Sequence, residues 1–132
     1  MQTRSARVLV AEDDADMRAM IAAALRAYGY DVMEAANGIE LLDTIATGLI
    51  SGRREDAFDV VLSDVRMPRI NGIDVITRLK EARWPAPAII MTASGDPPFL
   101  ERLNVLGVRL LQKPFDLDDL RDAIEGAVSL RS

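Results

Sequence analysis

Four sets of side chains in this 132-residue chain have the types to do chemistry together. Glu12-Asp13-Asp14 is an acid run near the start, Asp64 closes an apolar stretch, Thr92 closes another, and Lys113 stands before Pro114. There is no His and no Cys. That removes Ser-His-Asp triads, thiol nucleophiles, disulfide frameworks and zinc sites built on imidazole or thiolate. Oxygen chemistry is what remains. Two carboxylates about 5 Å apart repel by roughly 3 kcal/mol at an effective dielectric near 20, so three that converge call for a cation. An all-oxygen cluster open to water suits a hard ion such as Mg²⁺ or Mn²⁺. Such a cluster can accept a phosphoryl oxygen, Lys113 can neutralise further negative charge, and Asp64 is the carboxylate placed to act as nucleophile.

The elements that must gather these groups follow from periodicity. Val8-Leu9-Val10-Ala11 reads as a strand, and Met17, Met20, Ile21, Ala24, Leu25 and Tyr28 recur at helical offsets up to a stop at Gly29. Tyr30 to Ala35 is a second strand, closed by the turn pair Asn37-Gly38. A second helix presents Ile39, Leu42, Ile45 and Leu49, followed by a polar loop over 51–56. Phe58 to Leu62 is strand three. Helix three carries Ile73, Ile76 and Leu79, and Ala88 to Met91 is strand four. A fourth helix opens at Pro97-Pro98 with Leu100, Leu103 and Leu106 as its stripe, and strand five spans 107–112. Asp116 caps a last helix whose inward face is Leu117, Leu120, Ile124 and Val128. The methionines are expected as core filler, and Trp84 as loop packing.

Strict alternation of strand and helix, with strands apolar on both faces, predicts an α/β fold: a doubly wound, five-stranded parallel sheet with helices on both sides. In such a sheet ligands sit outside the carboxyl ends of the strands. The acid run, Asp64, Thr92 and Lys113 all fall on that rim. The length fits one domain over 1–132, with 49% hydrophobic and 28% charged residues and no linker-like stretch. A net charge of −5 argues against a field that gathers nucleic acid, and no apolar run approaches membrane-spanning length. With no secretory leader pattern and no Cys, the expectation is a cytoplasmic protein.

Taken jointly, the spaced motifs resemble the response-regulator receiver domain, the phosphoacceptor module of two-component signalling. They are Glu12-Asp13 with Arg18 downstream, Asp64 followed by Met67-Pro68 and Gly72, Thr92-Ala93, and Lys113-Pro114-Phe115. The resemblance covers Val8 to about Val128 and implies a flavodoxin-like (βα)5 fold with strand order 2-1-3-4-5. It implies that Asp64 is phosphorylated by a sensor histidine kinase, a histidine phosphotransfer protein or a small phosphodonor. It further implies that Asp13 and Asp64 bind Mg²⁺ directly, Glu12 binds it through water, and the backbone carbonyl of Arg66 is a further ligand. Thr92, Ala93 and Lys113 would meet the phosphoryl group, and the Lys113–Pro114 bond would be cis. Phosphorylation would then bias a face made by helix four, strand five and helix five, read by a downstream protein target or by a second copy in a phosphorylation-linked homodimer. On this reading the chain is a signalling phosphoacceptor, not an enzyme with an external substrate, and it touches neither nucleic acid nor membrane.

Three departures stand out from the family pattern. Asp64 lies 51 positions after Asp13, a long interval whose excess is assigned to Gly48–Asp56. Thr92 follows Asp64 by 28, a slightly short interval that implies a trimmed helix three or exit loop. Leu110 stands where many receivers place a Tyr or Phe that swings inward. Taken alone, the acid run also reads as a solvated face or an N-cap, Asp64 as a turn former, and Thr92 and Lys113 as cap and surface residues. Two other functions compete. A Mg²⁺-dependent phosphohydrolase of the haloacid-dehalogenase kind wants a second Asp two positions after the nucleophile, where Arg66 stands. A receiver-shaped interaction domain would have lost its reactive residues. Met1, and the end two residues after Leu130, give the expectation of a stand-alone regulator or a receiver from a longer protein.

Overall fold

A computed structural model of the chain describes residues 5–53, 57–65, 72–81, 86–93, 101 and 108–129. Among these residues five strands and four helices follow one another: β1 (Arg7–Ala11), α1 (Ala15–Ala27), β2 (Asp31–Ala35), α2 (Gly38–Ser51), β3 (Val60–Asp64), α3 (Gly72–Glu81), β4 (Ala88–Thr92), β5 (Arg109–Gln112) and α4 (Leu117–Ser129). All neighbouring strands pair in parallel, in the order β2-β1-β3-β4-β5. The doubly wound sheet is therefore the observed architecture. Apart from Glu101, the helix expected over 97–106 lies outside the described residues, as do the site residue Arg66 and Met67, Pro68 and Trp84.

Two apolar layers flank the sheet because side chains alternate along each strand. Val8, Val10, Val60, Leu62, Met91 and Leu111 pack with Ile21 and Leu25 of α1 and Leu120 and Ile124 of α4. Leu9, Ala11, Val61 and Ile90 face Leu41 and Ile45 of α2 and Val75, Ile76 and Leu79 of α3. Each fully buried Leu or Ile contributes about 1.5–3 kcal/mol relative to exposure, so helices on both faces are needed to hold β1, β3 and β4. The helix ends are set locally. Asp14 accepts from the N–H groups of Asp16 and Met17 to start α1, and Gly29 adopts φ +96° just past its end. Asn37 starts α2, which runs through Ser51 before Gly52 closes it at φ +64°. Asp116 and Asp119 form a reciprocal capping box at α4, with N–H to carboxylate distances of 2.8 and 3.3 Å.

Several apolar assignments need correcting. Met20 lies on the surface while Ala22 is buried, and Met33 is also exposed; among the described methionines Met91 fills the core and Met17 packs against it. In α2 the buried positions are Gly38, Leu41 and Ile45, whereas Ile39 and Leu49 face solvent. Leu117 is exposed, and Ala127 lies in the face that Leu120 and Ile124 define. The strands shift as well: β3 ends at Asp64 and β5 is only four residues long.

Candidate functional site

The site is a product of register. Val8 pairs with Val60 and Val10 with Leu62, so continuing the ladder past Ala11 and Ser63 brings Glu12 beside Asp64. Both continue the row of Val10 and Leu62, facing the α1 and α4 layer at the carboxyl end of the sheet. On the other flank Asp64 pairs with Met91 and Thr92 with Gln112, which delivers Lys113 to the same rim. Backbone bonds close the rim: the Lys113 N–H donates to the Thr92 carbonyl at 2.7 Å and the Val65 N–H to the Met91 carbonyl at 3.1 Å.

Carboxylate oxygens of Glu12, Asp13 and Asp64 all lie within 4.8 Å of one another. Glu12 is 2% exposed and Asp64 8%, while Asp13 opens to solvent. Lys113 Nζ sits 3.1 Å from Glu12 Oε1 and 3.4 Å from Asp64 Oδ2. One ammonium thus faces two buried acids with a third beside them. Burial pushes the Glu12 carboxyl up to about 7, reinforced by its hydrogen bond and charge repulsion with Asp64 and only partly opposed by Lys113. Desolvation pulls the Lys113 ammonium down, but its contacts with Glu12 and Asp64 outweigh this and leave it above its ordinary value.

The donor set fits a hard divalent cation. Among the described residues, Glu12 Oε2 is a buried carboxylate oxygen with no hydrogen-bond partner, a condition that ordinarily costs about 1–3 kcal/mol. It borders the acid cluster, where excess negative charge and spare oxygen lone pairs answer the same cation. Asp14 does not belong to this cluster: it is the α1 cap, so the bland reading of the acid run holds for that residue alone.

The remaining expected residues fall around this core. Thr92 is buried at the end of β4 and Ala93 is exposed just beyond it. The Lys113–Pro114 peptide bond is cis. Leu110, 42% exposed, lines a cleft of about 520 Å³ with Lys113, Pro114, Asp119 and Asp122. Three contacts were not anticipated: Lys113 pairing with Glu12, the buried Ser63 hydroxyl donating to the Asp64 carbonyl at 2.9 Å, and Arg18 Nη1 donating to the Glu12 carbonyl at 2.8 Å. Only the spacing of Arg18 from the acid pair hinted at the last of these.

Comparison with known proteins agrees with this geometry. Residues 8–125 match the response regulator receiver domain, and the chain belongs to that family of two-component signalling modules. It is 30% identical over 127 residues to sporulation initiation phosphotransferase F of Bacillus subtilis, covering 96% of each chain. It is 38% identical over 125 residues to the transcriptional regulatory protein PdtaR of Mycobacterium tuberculosis, covering 93% of this chain but 57% of that protein. Among solved structures, the chemotaxis protein CheY4 of Vibrio cholerae superposes with a TM-score of 0.75 at 28% identity, over 94% of this chain and 99% of that one. A receiver domain from Clostridium thermocellum gives 0.84 at 27% identity, over 96% of both chains. No helix among the described residues is long and apolar enough to cross a membrane.

Proposed function

We propose that this receiver is phosphorylated on Asp64 in a reaction that depends on Mg²⁺ or Mn²⁺. The supporting observation is the convergence of Asp64 with Glu12, Asp13 and Lys113 at the carboxyl end of the sheet. An Asp64 carboxylate oxygen attacks phosphorus in line, the P–N bond of a phosphohistidine on a sensor kinase or phosphotransfer protein breaks, and the histidine nitrogen leaves with its electron pair. A small acyl phosphate can serve as donor in the same way. Glu12, Asp13 and Asp64 would hold the metal with the Arg66 carbonyl, and the ion when bound offsets the charge that gathers on the phosphoryl oxygens.

The residues on the rim have separate tasks. Lys113 neutralises the phosphoryl group, while the Thr92 hydroxyl and the Ala93 N–H donate to it after transfer. These contacts belong to the phosphorylated state alone, so they bias the protein toward a second arrangement of β5, α4 and the segment before β5. Leu110 lacks the aromatic ring that many receivers move at this place, and the cleft beside it is the surface offered to a downstream protein.

The test is incubation with acetyl phosphate and Mg²⁺, read by intact mass. Addition of one phosphoryl group is expected, abolished by Asp64→Asn and by chelation. Continuous turnover of unrelated phosphate monoesters, or uptake that survives Asp64→Asn, would overturn the reading.

A further inference from the structure

Arg18 makes a contact that the proposed chemistry leaves unused. Its Nη1 donates to the Glu12 carbonyl at 2.8 Å, while the Glu12 N–H donates to the Ala35 carbonyl of β2 at 3.1 Å. The backbone of Glu12 is thereby held on both sides. That carbonyl belongs to the Glu12–Asp13 peptide, a rigid plane joining the two acids, so its orientation sets the direction of one side chain relative to the other. Arg18 is itself braced. Its Nε lies 3.6 Å from Glu34 Oε1, and Glu34 Oε2 lies 3.2 Å from Arg26 Nη2, which also donates to the Val32 carbonyl at 3.1 Å. The Arg18 side chain is only 20% exposed.

We propose that Arg18 is a positioning residue for the acid pair, with Glu34 as its brace. This inference rests on reading Glu12, Asp13 and Asp64 as cation ligands. Among the described residues two cations flank the cluster, and they act differently. Lys113 engages Glu12 Oε1 directly and so occupies a ligand oxygen, whereas Arg18 binds a carbonyl and leaves the carboxylates free of itself. The Arg18 guanidinium supplies orientation without competing for donor atoms, and its charge faces the Glu34 carboxylate. A preset acid pair loses less conformational freedom when it closes on an ion, so affinity should depend on the clamp.

The experiment is calorimetric binding of Mg²⁺ to the unphosphorylated chain, with melting temperature recorded for each metal-free variant. Arg18→Met should weaken Mg²⁺ about five- to tenfold and Glu34→Gln about two- to threefold, with the melting temperatures of both within about 3 °C of the parent. Arg18→Lys keeps one donor for the carbonyl and should recover to within threefold of the parent. The inference is overturned if Arg18→Met binds as tightly as the parent, if Arg18→Lys is no better than Arg18→Met, or if affinity falls only in step with melting temperature. Absence of Mg²⁺ binding by the parent would defeat the cation reading itself, and this inference with it. Should Arg18→Met fail to fold, Glu34→Gln and Arg18→Lys carry the same comparison.

Discussion

The two rims of the sheet carry similar charged groups and treat them in opposite ways. At the amino end Arg7 is fully engaged: its Nε meets Asp31 at 3.3 Å, its Nη1 donates to the Ala57 carbonyl at 3.3 Å, and its guanidinium lies 4.5 Å from the Phe58 ring centre. Its backbone exchanges a reciprocal pair of hydrogen bonds with Asp59, each at 2.8 Å. At the carboxyl end Lys113 pairs with two of three clustered carboxylates, and a buried oxygen of Glu12 lacks a partner. On the first rim each of these groups has a partner; the second gathers three carboxylates round one ammonium and leaves a buried oxygen unpartnered. Stability explains the first; in the function proposed above, a divalent cation completes the second.

The sharpest way to break this comparison is to neutralise each rim in turn. Asp64→Asn should eliminate phosphoryl uptake altogether, whereas Arg7→Met should leave uptake within twofold of the parent by the same intact-mass assay. Next in size, Asp13→Asn should weaken Mg²⁺ at least tenfold in calorimetry, because it removes the solvent-facing ligand without disturbing the core.

A smaller effect is expected from pH. In the fold Glu12 sits at about 7 against an ordinary value of 4.5, so ionising it is disfavoured by the native state. In the metal-free protein the stability contributed by protonated Glu12 should be fully present below the lower value and be lost, by about 3 kcal/mol, as pH rises through the higher one. Lys113 is shifted up, so its contribution persists through this window and fades only above its ordinary value of 10.5. Thermal melts in chelator from pH 5 to 8 should therefore show a decline that Glu12→Gln flattens and Mg²⁺ counteracts. An equally steep decline in Glu12→Gln would assign the loss to other groups. Smallest of all, Arg7→Met should lower the melting temperature by about 2–6 °C through its ring stacking and ion pair, with Mg²⁺ affinity unchanged.

Much of the molecule was legible because its signals repeat. Continuous apolar runs predict strands covered on both faces, and strand ends then predict that Glu12, Asp13, Asp64, Thr92 and Lys113 share a rim. The phase of α2 was not legible, since Leu41 and Leu42 are adjacent, as are Leu49 and Ile50, and the apolar residues spread too far round the helix to select one stripe. Gly38, buried at its first turn, settles which side approaches the sheet. Nor does the residue sequence reveal that Arg18 reaches a backbone carbonyl or that Lys113 chooses Glu12, because both depend on where peptide groups point. Asp14 shows the reverse case: a cap signal read correctly in isolation, but blurred by two neighbouring acids with different work.

Along β3, alternate residues serve opposite layers, with Val60 and Leu62 on one side and Val61 on the other, before Asp64 emerges at the top. Adding or deleting one residue inside that strand would turn Asp64 toward the wrong layer and disassemble the cluster. Length can change without that penalty upstream of the strand, in the connection between Gly52 and Phe58. Foreign peptides for sensing or tethering should therefore be grafted ahead of Phe58, where the register of β3 and the placement of Asp64 are kept.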